Sequence, residues 1–187
     1  MKTTLTAIRV SVVLMILCGL IYPAVTTGFA QVLFPGQADG SLVRSGSTVI
    51  GSELLAQSTL SPKLFHPRAS AAKYDPAASA GSNRAVGSSD YVKGIAEQIA
   101  ALKKEDPALS DIPADLVTTS GSGFDPDLSP EGAMAQIPRI SKASGLSEQQ
   151  LRQLADSLIR NRQLGVFGEP RVNVLDLNIA LLKRIKP

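Results

Sequence analysis

Two polar loops hold most of the side chains that could do chemistry in this chain. The first carries Phe65-His66-Pro67-Arg68, with the sole histidine; the second reads Ser120-Gly121-Ser122-Gly123-Phe124-Asp125-Pro126. A serine nucleophile with His66 as its base would need a strained elbow and a converging carboxylate. Ser-Gly-Ser-Gly lacks the Gly-x-Ser-x-Gly spacing of that elbow, so these steps read as turns and His66 as a structural loop histidine. The backbone amides of Ser120, Gly121, Ser122 and Gly123 could instead face a phosphate. No Gly-x-x-x-x-Gly-Lys loop accompanies them, and neither does the Asp-Lys-Thr-Gly-Thr signature of P-type ATPases. One histidine and one cysteine do not make a metal cluster. The sequence therefore predicts no catalytic residue and no metal ligand.

The charge pattern narrows the partners. A formal charge of +3 comes from scattered cations, with 4% aromatic residues and no tryptophan, which gives no support to nucleic-acid binding.

The elements that must carry the loops begin with an apolar run. After Arg9 no charged residue appears until Asp39, and residues 10 to 34 are mostly apolar. About 20 such residues in a helix cross the hydrocarbon core of a membrane. The expected organisation is residues 1–9 as a cytoplasmic N-terminus, 10–34 as a transmembrane anchor and 35–187 as one extracytoplasmic domain. A cleaved secretory signal is the competing reading, with Gly28-Phe29-Ala30 as the small-residue site. Its apolar core would exceed the usual ~7–15 residues, so an uncleaved anchor is expected. Pro23 and Gly28 loosen the helix; Thr26 and Thr27 bond either to a neighbouring helix or back to their own backbone. Lys2 and Arg9 precede the span while Arg44 follows it beside Asp39. This cation bias puts the short end inside and the domain outside. Cys18 lies in the span, so no disulfide is expected in the domain.

Within the domain, Ser41-Leu42-Val43 and Thr48-Val49-Ile50 flank a turn at Arg44-Ser45-Gly46-Ser47 and predict a hairpin. Residues 66 to 90 form either a flexible linker or a long ordered loop. Tyr91, Ile95, Ile99 and Leu102 predict a helix capped by Asp90 and ending near Asp106, before Pro107. Ser129-Pro130 opens another, buried through Met134, Ile137 and Ile140 and broken or kinked at Pro138. Ser147 and Gln150 form a capping box ahead of Leu151, Leu154 and Leu158. Asn173 caps a last helix with Val174, Leu177, Leu181 and Leu182 inside. The expected fold is α+β: one transmembrane helix, then one mixed domain.

The ordered set of short motifs closely resembles the C-subunit family of the bacterial Kdp potassium-transporting ATPases, KdpC. The matching stretches are Gly19-Leu20-Ile21-Tyr22-Pro23, Gln31-Val32-Leu33-Phe34-Pro35, Gly51-Ser52-Glu53-Leu54, Phe65-His66-Pro67-Arg68 and Gly81-Ser82-Asn83. They continue with Asp115 through Pro126, Gln136-Ile137-Pro138-Arg139 and Val172-Asn173-Val174-Leu175. Phe124 stands where leucine is usual, and Arg84-Ala85-Val86-Gly87 departs from the common pattern.

The resemblance implies an accessory subunit without turnover of its own, in the bacterial cytoplasmic (inner) membrane. Its implied partners are a channel-like potassium-translocating subunit, a P-type ATPase subunit that hydrolyses ATP, and a small membrane peptide. Two roles are proposed for the family: stabilising the complex at the potassium entrance, or acting as a catalytic chaperone that raises ATP affinity. No firmly bound cofactor is implied. If ATP is contacted, the resemblance points to Gln136, with Ser120, Gly121, Ser122 and Gly123 as amide donors. Arg68 and Asp125 are the expected partner contacts, pairing either across an interface or with each other. A membrane-anchored solute-binding module or hydrolase is the alternative from outside the family.

Overall fold

The computed structural model describes residues 2–107 and 109–185. It divides into two compact units, residues 1–50 and 51–187. The layout is that of one long apolar helix and one mixed α+β domain.

The first unit is dominated by a helix running Lys2–Leu33, 32 residues long. At ~1.5 Å per residue it is long enough for a ~30 Å hydrocarbon core, so it is a candidate membrane span. It comprises α1 (Lys2–Ile16), a π turn (Leu17–Ile21) and α2 (Tyr22–Leu33). The π turn has a cause. Pro23 has no N–H, and its ring would strike the carbonyl four residues back; widening the preceding turn relieves that clash. The Tyr22 N–H accordingly donates to the Leu17 carbonyl, five residues back. The Thr26 hydroxyl bonds back to the Tyr22 and Pro23 carbonyls at 2.8 and 3.1 Å. Phe34 interrupts the helix before a single turn, α3 (Pro35–Ala38). The hairpin β1 (Leu42–Ser45) and β2 (Thr48–Ser52) turns on Gly46 and Ser47, a shorter turn between longer strands than the sequence pattern suggests. Gly46 at φ +61° supplies the left-handed conformation that this tight turn needs.

In the second unit α4 (Ser89–Glu105) starts two residues earlier than expected, because Ser88 is its cap. The Ser88 hydroxyl accepts from the Tyr91 amide, which leaves Asp90 in the first turn, where its charge suits the helix dipole. After the short α5 (Ala114–Val117), Ser129 caps α6 (Pro130–Ala135) as its sequence predicts. The break expected at Pro138 falls at Gln136. There the chain turns, and α7 (Ile137–Ser144) starts with Pro138 in its first turn, where the missing N–H costs no bond. Gly145 ends α7 at φ +79°, and Ser147 and Gln150 box the start of α8 (Glu148–Ser157).

The sequence pattern omits three very short strands: β3 (Asp127–Leu128), β4 (Ile159–Arg160) and β5 (Arg171–Asn173). They form an antiparallel sheet in the order β3-β5-β4, with Leu128 and Ile159 both paired to Val172. Asn173 ends β5 and caps α9 (Val174–Leu182). Leu128, Ile137, Ile140, Leu151, Val172, Leu177 and Leu181 close the core, joined by Phe65 from the first polar loop. Met134 is only half-buried, and Leu182 turns outward at 55% exposure because it lies past the stripe made by Val174, Leu177 and Leu181.

Asn173 does three jobs at this junction. Its carbonyl oxygen accepts from the Asp176 amide, and its amide donates to the Glu53 carbonyl at 2.9 Å and to Asp127. Asn173→Ala should therefore lower stability by about 2–3 kcal/mol, combining a lost cap with a stranded carbonyl. Asn173→Ser, which keeps a capping oxygen, should recover part of that loss in thermal unfolding of the full chain in mild detergent.

Candidate functional site

The two polar loops are brought together, and side-chain amides hold the first one. Residues 65 and 66 lie outside every described helix and strand. Asn178 on α9 supplies a substitute: the Phe65 N–H donates to its Oδ1 at 2.8 Å, and its Nδ2 donates to the Phe65 carbonyl at 2.9 Å. Gln136, between α6 and α7, does the same for the next residue. The His66 N–H donates to its Oε1 at 2.8 Å, and its Nε2 donates to the His66 carbonyl at 3.0 Å. Each amide thus acts as one rung of a β-ladder. Arg139, a turn along α7, donates to the Pro62 and Leu64 carbonyls and to Gln136 Oε1. Burial lowers the Arg139 pKa, with Glu105 and Asp106 opposing; a guanidinium stays charged at neutral pH regardless.

Gln136 is therefore 6% exposed and engaged at both ends of its amide. His66 is half-buried, with its Nε2 3.1 Å from the Ser61 carbonyl. Its pKa is lowered, chiefly by burial and then by the Arg139 charge, against the Ser61 bond and Glu105. It lines a small recess with Leu102, Glu105, Leu116 and Arg139 that contains neither Ser120 nor Ser122.

The second loop is stacked on residues 69–81. The Ser120 N–H donates to the Ala69 carbonyl, the Ser70 hydroxyl to the Gly123 carbonyl, and the Ser79 hydroxyl to the Ser122 carbonyl. Ser120 is buried, and its hydroxyl accepts from the Gly123 amide at 2.8 Å. The Phe124 amide donates to the Ser122 hydroxyl. Gly121 and Ser122 are exposed. The glycines serve close approach. A Cβ on Gly81 would lie 2.9 Å from the Gly121 carbonyl oxygen, and one on Gly123, at φ +76°, 2.7 Å from Ala72 Cβ. The stretch between residues 66 and 90 is thus an ordered loop.

Arg68 and Asp125 join the two loops. Arg68 Nη1 donates to Asp125 Oδ2 at 2.8 Å and Nη2 reaches the Thr118 hydroxyl; the two side chains remain 25% and 30% exposed. The other Asp125 oxygen accepts from the Asp127 amide. Tyr74 donates its hydroxyl to the Arg68 carbonyl and is itself left-handed at φ +59°, next to Lys73 at φ +53°. Beyond the pair, Ala71, Gly81, Ser82, Tyr91, Gly94 and Thr119 border an open groove of about 470 Å³ between these loops and α4. Sequence reasoning overlooks Asn178. Its signal is a lone amide on the apolar stripe of α9, where only a buried backbone partner would keep it.

One candidate membrane span and one α+β domain with two interlocked loops define the class of this protein. A family model described as "K+-transporting ATPase, c chain" matches residues 4–183. Potassium-transporting ATPase KdpC subunits are similar throughout. That of Myxococcus xanthus is 48% identical over 190 residues, covering 100% of this chain and 90% of its own. That of Geobacter sulfurreducens is 47% identical over 185 residues, 97% of each chain. That of Caldanaerobacter subterraneus subsp. tengcongensis is 45% identical over 181 residues, 96% of this chain and 94% of its own. The chain belongs to the KdpC family, subunits of the potassium-transporting ATPase.

Gln136→Ala would strand the His66 N–H and carbonyl together, a loss of about 2–4 kcal/mol in thermal unfolding. Acid should act through His66. A pKa below 6.5 in the fold means the unfolded chain takes the proton first. Its contribution is complete above that value and disappears as pH falls through the folded pKa. Comparing unfolding of wild type and His66→Gln from pH 7.5 to 5 should show a shallower acid decline in the variant.

Proposed function

We propose that this chain is a non-catalytic accessory subunit that holds an ATP-driven potassium-uptake complex together in the bacterial inner membrane. Its domain would present residues 65–72 and 117–126 to the channel-like subunit at the external mouth of the potassium path. One observation carries this reading: the polar groups of the family motifs are engaged in fixing loop shape. Gln136 grips His66, Ser120 closes its own turn, and Arg68 and Asp125 tie the loops together. Loops of defined sequence and shape on a rigid scaffold are characteristic contact surfaces. Both side chains keep enough exposed surface for Arg68 to donate, and Asp125 to accept, further hydrogen bonds with a partner.

The catalytic-chaperone role gains less support from this geometry. Contact between ATP and Gln136 would require its amide to leave the His66 backbone, and the Ser120 and Gly123 amides already have partners. With the domain outside the membrane, cytoplasmic ATP would also be out of reach. The cation bias around the span favours that orientation, with the short end inside.

Co-purification of the full chain with the channel-like and P-type ATPase subunits tests the reading. Arg68→Ala or Asp125→Ala should lower complex recovery and potassium-stimulated ATP hydrolysis in parallel. The chain itself should lose only about 1 kcal/mol of stability, since the pair is partly solvated. Normal assembly with a raised ATP requirement would replace this role with the chaperone one. A ligand-dependent melting shift would instead favour a solute-binding module, and labelling by a serine-reactive probe a hydrolase. Protease added to intact spheroplasts should digest the domain, whereas protection until lysis would reverse the orientation.

A further inference from the structure

The β4–β5 connection, residues 161–170, carries an exposed apolar tip. Leu164, Val166 and Phe167 are 90%, 70% and 64% exposed. They sit in a domain where Ile137, Ile140, Leu151, Val172, Leu177 and Leu181 are buried to 0%. Isolated exposed residues such as Leu60 and Val86 are ordinary on a surface. Three within four positions on one turn, with a glycine between, form a patch.

The tip is built to keep its shape. Gln163 and Phe167 exchange both backbone hydrogen bonds, at 2.8 and 2.9 Å. The Gly165 amide donates to the Arg162 carbonyl, and Arg162 pairs with Glu169 at 2.6 Å across the base of the loop. Leu164 is held left-handed at φ +53°, where a leucine is strained and a glycine would be at ease. Neither the core nor the fold of the turn calls for leucine there.

The charges around the tip select its occupant. A loop that dips into a bilayer commonly offers spare cations to anionic headgroups and interfacial Trp or Tyr. Here Arg160 pairs with Asp176, Arg162 with Glu169 and Arg171 with Asp127, and the loop has no Trp or Tyr. A preshaped, charge-neutralised apolar finger suits instead a protein socket, where it loses little conformational entropy on docking. Membership in the family of potassium-transporting ATPase C subunits supplies such a partner.

We propose that Leu164, Val166 and Phe167 form a docking finger that seats in an apolar socket on another subunit of the transporter. This rests on the assembly role above and names a contact separate from the Arg68–Asp125 loops. In the full complex, Leu164→Ser and Phe167→Ser should each weaken association at least about tenfold, while Leu60→Ser should not. The melting temperature of the chain alone should be nearly unchanged, because the tip lies outside the core and is largely exposed. A photoreactive benzoylphenylalanine at position 167 should cross-link to another transporter subunit in native membranes. Unchanged association of the serine variants would overturn the finger and leave the assembly role standing. So would an assembled complex whose adducts are with lipid only, with a second copy, or absent. Failure of the wild-type chain to co-purify with any subunit would overturn both.

Discussion

The domain depends on two side-chain amides reading two consecutive residues of backbone. A packed two-residue segment outside any sheet would leave four backbone polar groups unmet, each at a cost of about 1–3 kcal/mol where buried. Asn178 and Gln136 meet all four at Phe65 and His66. Asparagine and glutamine suit this task because each offers a donor and an acceptor from one planar group. Once the backbone is satisfied, Phe65 can be buried completely among Leu128, Ile137 and Leu177. The loop that follows then has a fixed point of departure.

From that point the second loop is placed by approach distance. Gly81 lies against Gly121, and Gly123 against Ala72 and Ala80, at separations that leave no room for a Cβ. Serine hydroxyls supply the cross-loop bonds, and the Arg68–Asp125 pair closes the edge. The Gly-Ser content of residues 120–123, which on its own resembles an anion cradle, is explained here by backbone packed on backbone.

The same logic separates the two parts of the surface. The interlocked loops are polar and partly solvated, whereas the tip at residues 163–167 is apolar and projects from a hairpin base closed by Arg162 and Glu169. Both are held in shape by hydrogen bonds and an ion pair within the chain.

Local chemistry made much of the fold legible. Helix starts at Ser129, Ser147 and Asn173 follow from side-chain oxygens that cap their own amides, and the stripes at Leu151, Leu154, Leu177 and Leu181 follow from helical period. The length and apolarity of the first helix are likewise properties of adjacent residues. The cap at Ser88 in place of Asp90 shows the limit: both residues can cap, and local competition between neighbours decides. Strands of two or three residues have too short a period to register, so the β3-β5-β4 sheet was not legible. Nor was the function of Gln136, since an amide can face a ligand or a backbone equally well. The sequence by itself determined the long apolar helix, the caps, the apolar stripes and the ordered motifs of the family. Only the tertiary structure decided that Asn178, Gln136, Arg68 and Asp125 turn inward to hold loops together. Their partners lie 113, 70 and 57 residues away along the chain, and folding alone brings them within hydrogen-bond reach.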